Sequence, residues 1–209
     1  IAYPVNECGG FVWVYMGPED NITEFQTPAW AASPNTNISI VKIQTSCNWA
    51  QVLEGSIDSA HSSSLHSTNM PPAEVEGSIA TTDAWLRPSR DKSPRLEIEM
   101  TDYGFNYAAI RKPIRNEEKD VYVRTTVFIA PFTVLIPPNN EYKLAQILFP
   151  IDDHNTMFYW IAWHPDPEKG IDQDEWRRFC SAEVGIDLDE EYQKKLNLGN
   201  WYNQDREAM

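Results

Sequence analysis

The sequence predicts an α+β layer fold, an antiparallel sheet packed on one face by helices. Three observations carry this. Through the middle of the chain, successive runs alternate apolar and polar residues with period two, the signature of half-buried strands. Proline and glycine punctuate the joins, as in Pro71-Pro72, Tyr103-Gly104, Pro137-Pro138-Asn139-Asn140 and Pro165 with Pro167, and such short turns favour antiparallel pairing. Helical periodicity is confined to one segment ahead of this array and to the tail behind it.

In chain order, Phe11 to Met16 alternates and reads as a strand, and Ile38 to Thr45 as a second. Asn48 to Ser63 reads as a helix. Strands are then expected over Glu76 to Leu86, Leu96 to Thr101, Phe105 to Ile110, Val121 to Ile129, Tyr142 to Phe149 and Met157 to Trp163. Asp172 to Val184 and Leu188 to Leu196 read as helices, with acidic residues early and Lys194-Lys195 late, as the helix dipole favours.

At 209 residues the chain is long enough for one substantial domain. Apolar residues make up 42% and aromatics 12%, with eight tryptophans, which predicts a packed aromatic interior; Trp160, Trp163, Trp176 and Trp201 read as core or subunit contacts. The formal charge of −14, with no cluster of Lys and Arg, disfavours nucleic acid as a partner. It also requires that any anionic ligand be met by cations placed inside a cavity, because the field of the whole protein repels it. No apolar stretch approaches the roughly 18 residues of a membrane span. Cys8, Cys47 and Cys180 are odd in number and far apart, and read as buried thiols of a cytoplasmic protein rather than a disulfide framework. Ile1 opens the chain and Met209 closes it within a helical pattern, so the chain reads as a piece of a longer protein.

The chemistry concentrates in Asp58-Ser59-Ala60-His61-Ser62-Ser63-Ser64-Leu65-His66. One carboxylate and two imidazoles are donors suited to a mononuclear non-haem Fe(II) that keeps positions open for O2 and substrate. Asp58 and His61 share a helix face, but His66 falls about 140° round from His61 on a regular helix. Both rings can reach one metal only if the helix ends between them or widens into a π-type turn. Ser62, Ser63 and Ser64, mediocre helix formers, sit at that place. Taken by itself, the run is equally a polar helix end with two solvated histidines.

Arg124 lies in Val121-Tyr122-Val123-Arg124-Thr125-Thr126-Val127-Phe128-Ile129, on the face shared with Tyr122, Thr126 and Phe128, in a strand too apolar to be freely exposed. Arg87 shares its strand face with Trp85. Two guanidiniums on an inner sheet face would clamp an aromatic dicarboxylate; alternatively each pairs with one of the many acidic side chains or points to water. Arg90, Arg111 and Arg115 stand near turns and read as solvated, and His154 and His164, beside Asp152-Asp153 and Pro165-Asp166, read as surface residues.

The run Cys47-Asn48-Trp49-Ala50-Gln51-Val52-Leu53-Glu54-Gly55-Ser56-Ile57-Asp58-Ser59-Ala60-His61 through His66 resembles the iron-ligand segment of the Rieske non-haem iron ring-hydroxylating oxygenases, in the serine-rich version of the phthalate-oxidising group. Glu7-Cys8-Gly9-Gly10-Phe11-Val12-Trp13-Val14-Tyr15-Met16-Gly17-Pro18 resembles the stretch where the Rieske domain of that family hands over to the catalytic domain.

The resemblance implies a helix-grip (Bet v 1-like) fold, a curved antiparallel sheet covered by a long helix and C-terminal helices. It implies Fe(II) on His61 and His66, with a third, carboxylate ligand from a C-terminal segment. Asp205 in Gln204-Asp205 matches that segment superficially, and the ligand itself is expected past Met209. Asp58 is implied to bridge the iron site to a Rieske histidine of a neighbouring subunit. A Rieske [2Fe–2S] cluster needs two Cys and two His ligands in paired motifs that this chain does not contain, so residues 1–209 would be the catalytic domain alone. The implied activity is cis-dihydroxylation of phthalate with O2, in a homotrimer fed from NADH by a flavin and iron–sulfur reductase. Monooxygenation or O-demethylation of an aromatic acid, and a non-catalytic ligand-binding module of the same fold, are the alternatives.

Overall fold

The computed structural model describes residues 2–32, 36–67, 70, 72 and 83–204. Its framework is a seven-stranded antiparallel sheet built from β3 (Asn37–Thr45), β4 (Arg95–Thr101), β5 (Gly104–Arg111), β6 (Tyr122–Ile129), β7 (Thr133–Leu135), β8 (Lys143–Pro150) and β9 (Thr156–His164), in the spatial order β3-β9-β8-β7-β6-β5-β4. Ahead of it, β1 (Val5–Cys8) and β2 (Phe11–Val14) form a separate hairpin. Two helices follow from the same chain, α1 (Trp49–Ile57) and α2 (Gln173–Phe179).

Alternation divides the side chains between two faces. Val41 and Ile43 of β3, Leu144 of β8 and Ala162 of β9 join Trp85, Tyr142, Trp176 and Leu188 in one core. Ala145, Ile147, Ile161 and Trp163 face the other way and pack with Trp30, Phe11 and Trp13, so the N-terminal hairpin covers the back of the sheet. The central strands β8 and β9 are therefore buried on both faces. At the β4–β5 turn Gly104 has φ +150°, and a Cβ there would collide with the Phe128 carbonyl, which reserves the position for glycine.

Trp176 is the anchor of α2. It is fully buried, its indole N–H donates to the Trp160 carbonyl at 3.0 Å, and its ring stacks on Phe179 at 5.4 Å. Burial of so large a side chain stabilises by about 2–3 kcal/mol. Asp172 caps the helix, accepting from the Asp174 and Glu175 amides at 2.8 and 3.2 Å. Among the described residues no helix is long and apolar enough to cross a membrane.

The α+β expectation holds, with particular corrections. β1 and β7 are strands of four and three residues that alternation alone does not reveal. Of the strand expected over Glu76 to Leu86, residues 76–82 lie outside the described residues, and Asp83–Trp85 is a 3-10 turn. The helices on the sheet are short, nine and seven residues, with no long covering helix among the described residues. Leu188 to Leu196 is not helical. There the Asp189 carboxylate captures the amides of Glu191 and Gln193, 3.0 and 2.8 Å away, and so offers the backbone an alternative to helix. Lys194 donates to the Cys180 carbonyl at 3.4 Å and to the Ser181 carbonyl. The late lysine thus caps the end of α2 rather than its own segment. The three cysteines are free, and only partly buried.

Candidate functional site

The helix that carries the Asp58–His66 run breaks earlier than the spacing suggests. α1 stops at Ile57, Asp58 is extended with ψ 103°, and a 3-10 turn takes over at His61–Ser63. Asp58 therefore does not share a helix face with His61. It caps the new turn, accepting from the Ala60 and His61 amides at 2.8 and 3.3 Å, while its second oxygen stands 3.5 Å from His61 Nδ1. That contact leaves Nε2 of His61 for another partner.

This break is what brings the imidazoles together. The rings of His61 and His66 lie 5.2 Å apart between centroids at an angle of 67°. With imidazole-to-metal bonds of about 2.1 Å, two rings on one ion stand roughly 4.5–5.5 Å apart, so the pair fits a shared divalent cation. Partial burial, with His61 and Arg87 nearby, lowers the pKa of His66 from its ordinary value and so favours its neutral form, the state that ligates. Among the described residues no third His, Cys, Asp or Glu completes a three-donor set. Asp205 lies outside the described residues.

Both histidines face a cavity of about 660 Å³ between α1, the His61 turn and the sheet. Its lining is aromatic at Trp85, Phe158, Trp160 and Phe179 and polar at Tyr107, Arg87, Arg124, Thr126 and Gln146, and the two sets meet at the cross-strand pair Trp160 and Gln146. Arg124 stands where alternation puts it, donating to the Tyr122 hydroxyl at 3.2 Å and the Pro137 carbonyl at 3.0 Å. Arg87 reaches the same cavity from a loop after the 3-10 turn, not from a strand. It donates to Ser63 Oγ at 3.3 Å and to the Met70 sulfur. Burial, with Arg124 as the next cause, lowers its pKa to about 10. Neither arginine forms an ion pair with an acidic side chain among the described residues.

Arg111 corrects the expectation of a solvated turn residue, for it is 2% exposed and ends β5. Phe105, Tyr107 and Ala109 carry the alternation on to it, and the following Lys112-Pro113 hides that signal. Arg90 and Arg115 are exposed as expected. His154 is exposed, and His164 accepts from the Asp166 amide at 3.0 Å; neither lines the cavity. Of the tryptophans read as core or subunit contacts, Trp163 and Trp176 are buried and Trp160 packs against the core while lining the cavity; Trp201 is 54% exposed.

An antiparallel sheet with short helices frames this cavity and its two imidazoles, and that fold recurs in solved structures. A solved quaternary ammonium Rieske monooxygenase involved in carnitine oxidation by gut microbiota shares the fold, with TM-score 0.51 at 14% identity over 84% of this chain and 47% of that one. The chain belongs to the family described as LigXa C-terminal domain like, which matches residues 14–209. It is 56% identical over 208 residues to the phthalate 4,5-dioxygenase oxygenase subunit of Pseudomonas putida, covering 100% of this chain and 47% of that protein. It is 32% identical over 203 residues to the 3-chlorobenzoate-3,4-dioxygenase oxygenase subunit of Comamonas testosteroni, covering 96% and 44%. The chain spans about half the length of these curated relatives.

Proposed function

We propose that this chain is the catalytic domain of the oxygenase component of an aromatic-ring dioxygenase acting on an aromatic dicarboxylate, phthalate first. The observation that carries the reading is the 56% identity across the chain to a phthalate 4,5-dioxygenase subunit, and the cavity that two imidazoles share with two guanidiniums lacking acidic partners among the described residues fits it. His61 and His66 hold a mononuclear Fe(II), with a carboxylate from outside the described residues as third ligand. Iron in such a site, with open positions, supplies the activation of O2.

The side chains of this domain do the rest. Arg87 and Arg124 each take one carboxylate of the substrate, and the fork of a guanidinium matches a carboxylate in geometry as well as charge. Held at that edge, the ring lies against Trp85, Phe158 and Phe179, which exclude water from it. Asp58, with its side chain 47% exposed, keeps one edge of its carboxylate toward a neighbouring subunit. There it accepts a hydrogen bond from a Rieske histidine, so that electrons from NADH, delivered through a flavin and iron–sulfur reductase, cross a boundary within a trimer of cytoplasmic oxygenase subunits. The product is the cis-dihydrodiol.

In the full-length protein, His61→Ala or His66→Ala abolishes stoichiometric iron and dihydrodiol formation; iron retained with turnover in either variant refutes the assignment. A monohydroxylated or demethylated product from the wild-type protein overturns the dioxygenase reading while leaving the iron site in place.

A further inference from the structure

Where α1 breaks, its last carbonyls lose their helical donors. Two side chains of β5 reach this break, Tyr107 at the last carbonyl of α1 and Arg111 at the Ser59 carbonyl beyond the helix, which also accepts from the Ser62 hydroxyl at 3.0 Å. The Tyr107 hydroxyl donates to the Ile57 carbonyl, and Arg111 Nη2 donates to the Ser59 carbonyl at 2.8 Å. Arg111 Nη2 also lies 3.3 Å from Ser63 Oγ, the same oxygen that accepts from Arg87 at 3.3 Å. A hydroxyl oxygen has two lone pairs, so Ser63 accepts from both guanidiniums. One serine thus ties the floor of the sheet, the turn bearing His61, and a guanidinium of the anion site.

Burying a guanidinium without a carboxylate is unfavourable unless its hydrogen bonds compensate. Arg111 has no acidic partner within ion-pair distance, and its Nε and Nη1 are buried with no hydrogen-bond partner among the described residues. Asp91 acts on it only from farther away. A side chain held at such expense on the backbone of the histidine turn has a positional use. We propose that Arg111 is a positioning residue for the metal-binding turn, and that Ser63 couples that turn to Arg87, so that an anion taken by Arg87 tightens the imidazole pair. This rests on the reading of His61 and His66 as metal ligands.

The test uses full-length apoprotein titrated with Co(II) and followed by visible absorption, with and without phthalate. Arg111→Gln weakens Co(II) binding about ten- to a hundredfold, the range seen when groups supporting a metal ligand are removed. Arg111→Lys, which keeps the charge and one donor, restores part of it. Ser63→Ala binds Co(II) alone much as wild type does but loses the spectral change that phthalate induces. A role in stability alone would lower the melting temperature of Arg111→Gln and leave its Co(II) affinity intact, and that result overturns the proposal. If Arg111→Gln does not fold, Ser63→Ala decides: an undiminished phthalate response overturns the coupling. A wild-type protein that takes up no Co(II) sinks the histidine reading and this inference with it, whereas tight wild-type binding with an unaltered Arg111→Gln sinks this inference alone.

Discussion

The aromatic and the polar side chains that line the cavity, which meet at Trp160 and Gln146, are held on different terms. The aromatic side chains are held by packing: Trp85 and Phe179 stack in parallel at 5.2 Å, and Trp176, fully buried outside the lining, donates its N–H to the Trp160 carbonyl, while the Trp160 N–H is itself buried with no partner among the described residues. The polar side chains are held by hydrogen bonds instead. Among the described residues Arg87 and Arg124 donate to two hydroxyls, a sulfur and a carbonyl, and none of these carries a full negative charge. The contrast teaches that packing holds one set, while the other keeps two cations without a carboxylate partner among the described residues.

Substitutions should therefore sort by set. The largest effect is expected on the aromatic side, where Trp176→Ala removes a buried ring and leaves a cavity at a cost of about 3–5 kcal/mol, read from urea unfolding. A loss below about 1 kcal/mol would mean that α2 is not the anchor the packing makes it.

On the polar side the same measurement should show little. Arg124→Gln is expected to weaken phthalate binding by about 2 kcal/mol, roughly thirtyfold in Kd, while unfolding stability stays at or above wild type because an uncompensated cation has gone. Calorimetric titration beside the urea curve separates the two quantities, and a variant that loses stability in step with affinity erases the distinction between the two sets.

The smallest effect concerns protons. His66 is held below its ordinary value of 6.5, chiefly by burial, so the folded protein binds fewer protons than the unfolded chain as pH falls through that range. Stability of the metal-free protein then rises with pH across it and declines below it. The size is a fraction of the other effects, and His66→Gln flattens it. Equal pH slopes in wild type and variant would show that His66 is not perturbed by its surroundings.

Much of this was legible in the residues. Period-two alternation found β3, β5, β6, β8 and β9 and put Arg124 on the cavity face, because a strand's register leaves only two choices of side. The failures have a common cause. Asp189 and Lys194 look like helix-ending charges, yet they serve backbone groups of a neighbouring turn and of α2. Arg111 looks like a turn residue because Pro113 follows it, although the strand runs on to its position.

The sequence by itself determined the sheet, the donor types and the fact that a straight helix cannot point His61 and His66 at one place, since each follows from local periodicity. Only the tertiary structure decided where the helix gives way. The break falls at Asp58, ahead of both histidines, where Tyr107 and Arg111 reach from β5 to the carbonyls of Ile57 and Ser59, and a donor some fifty residues away leaves no mark on the local pattern.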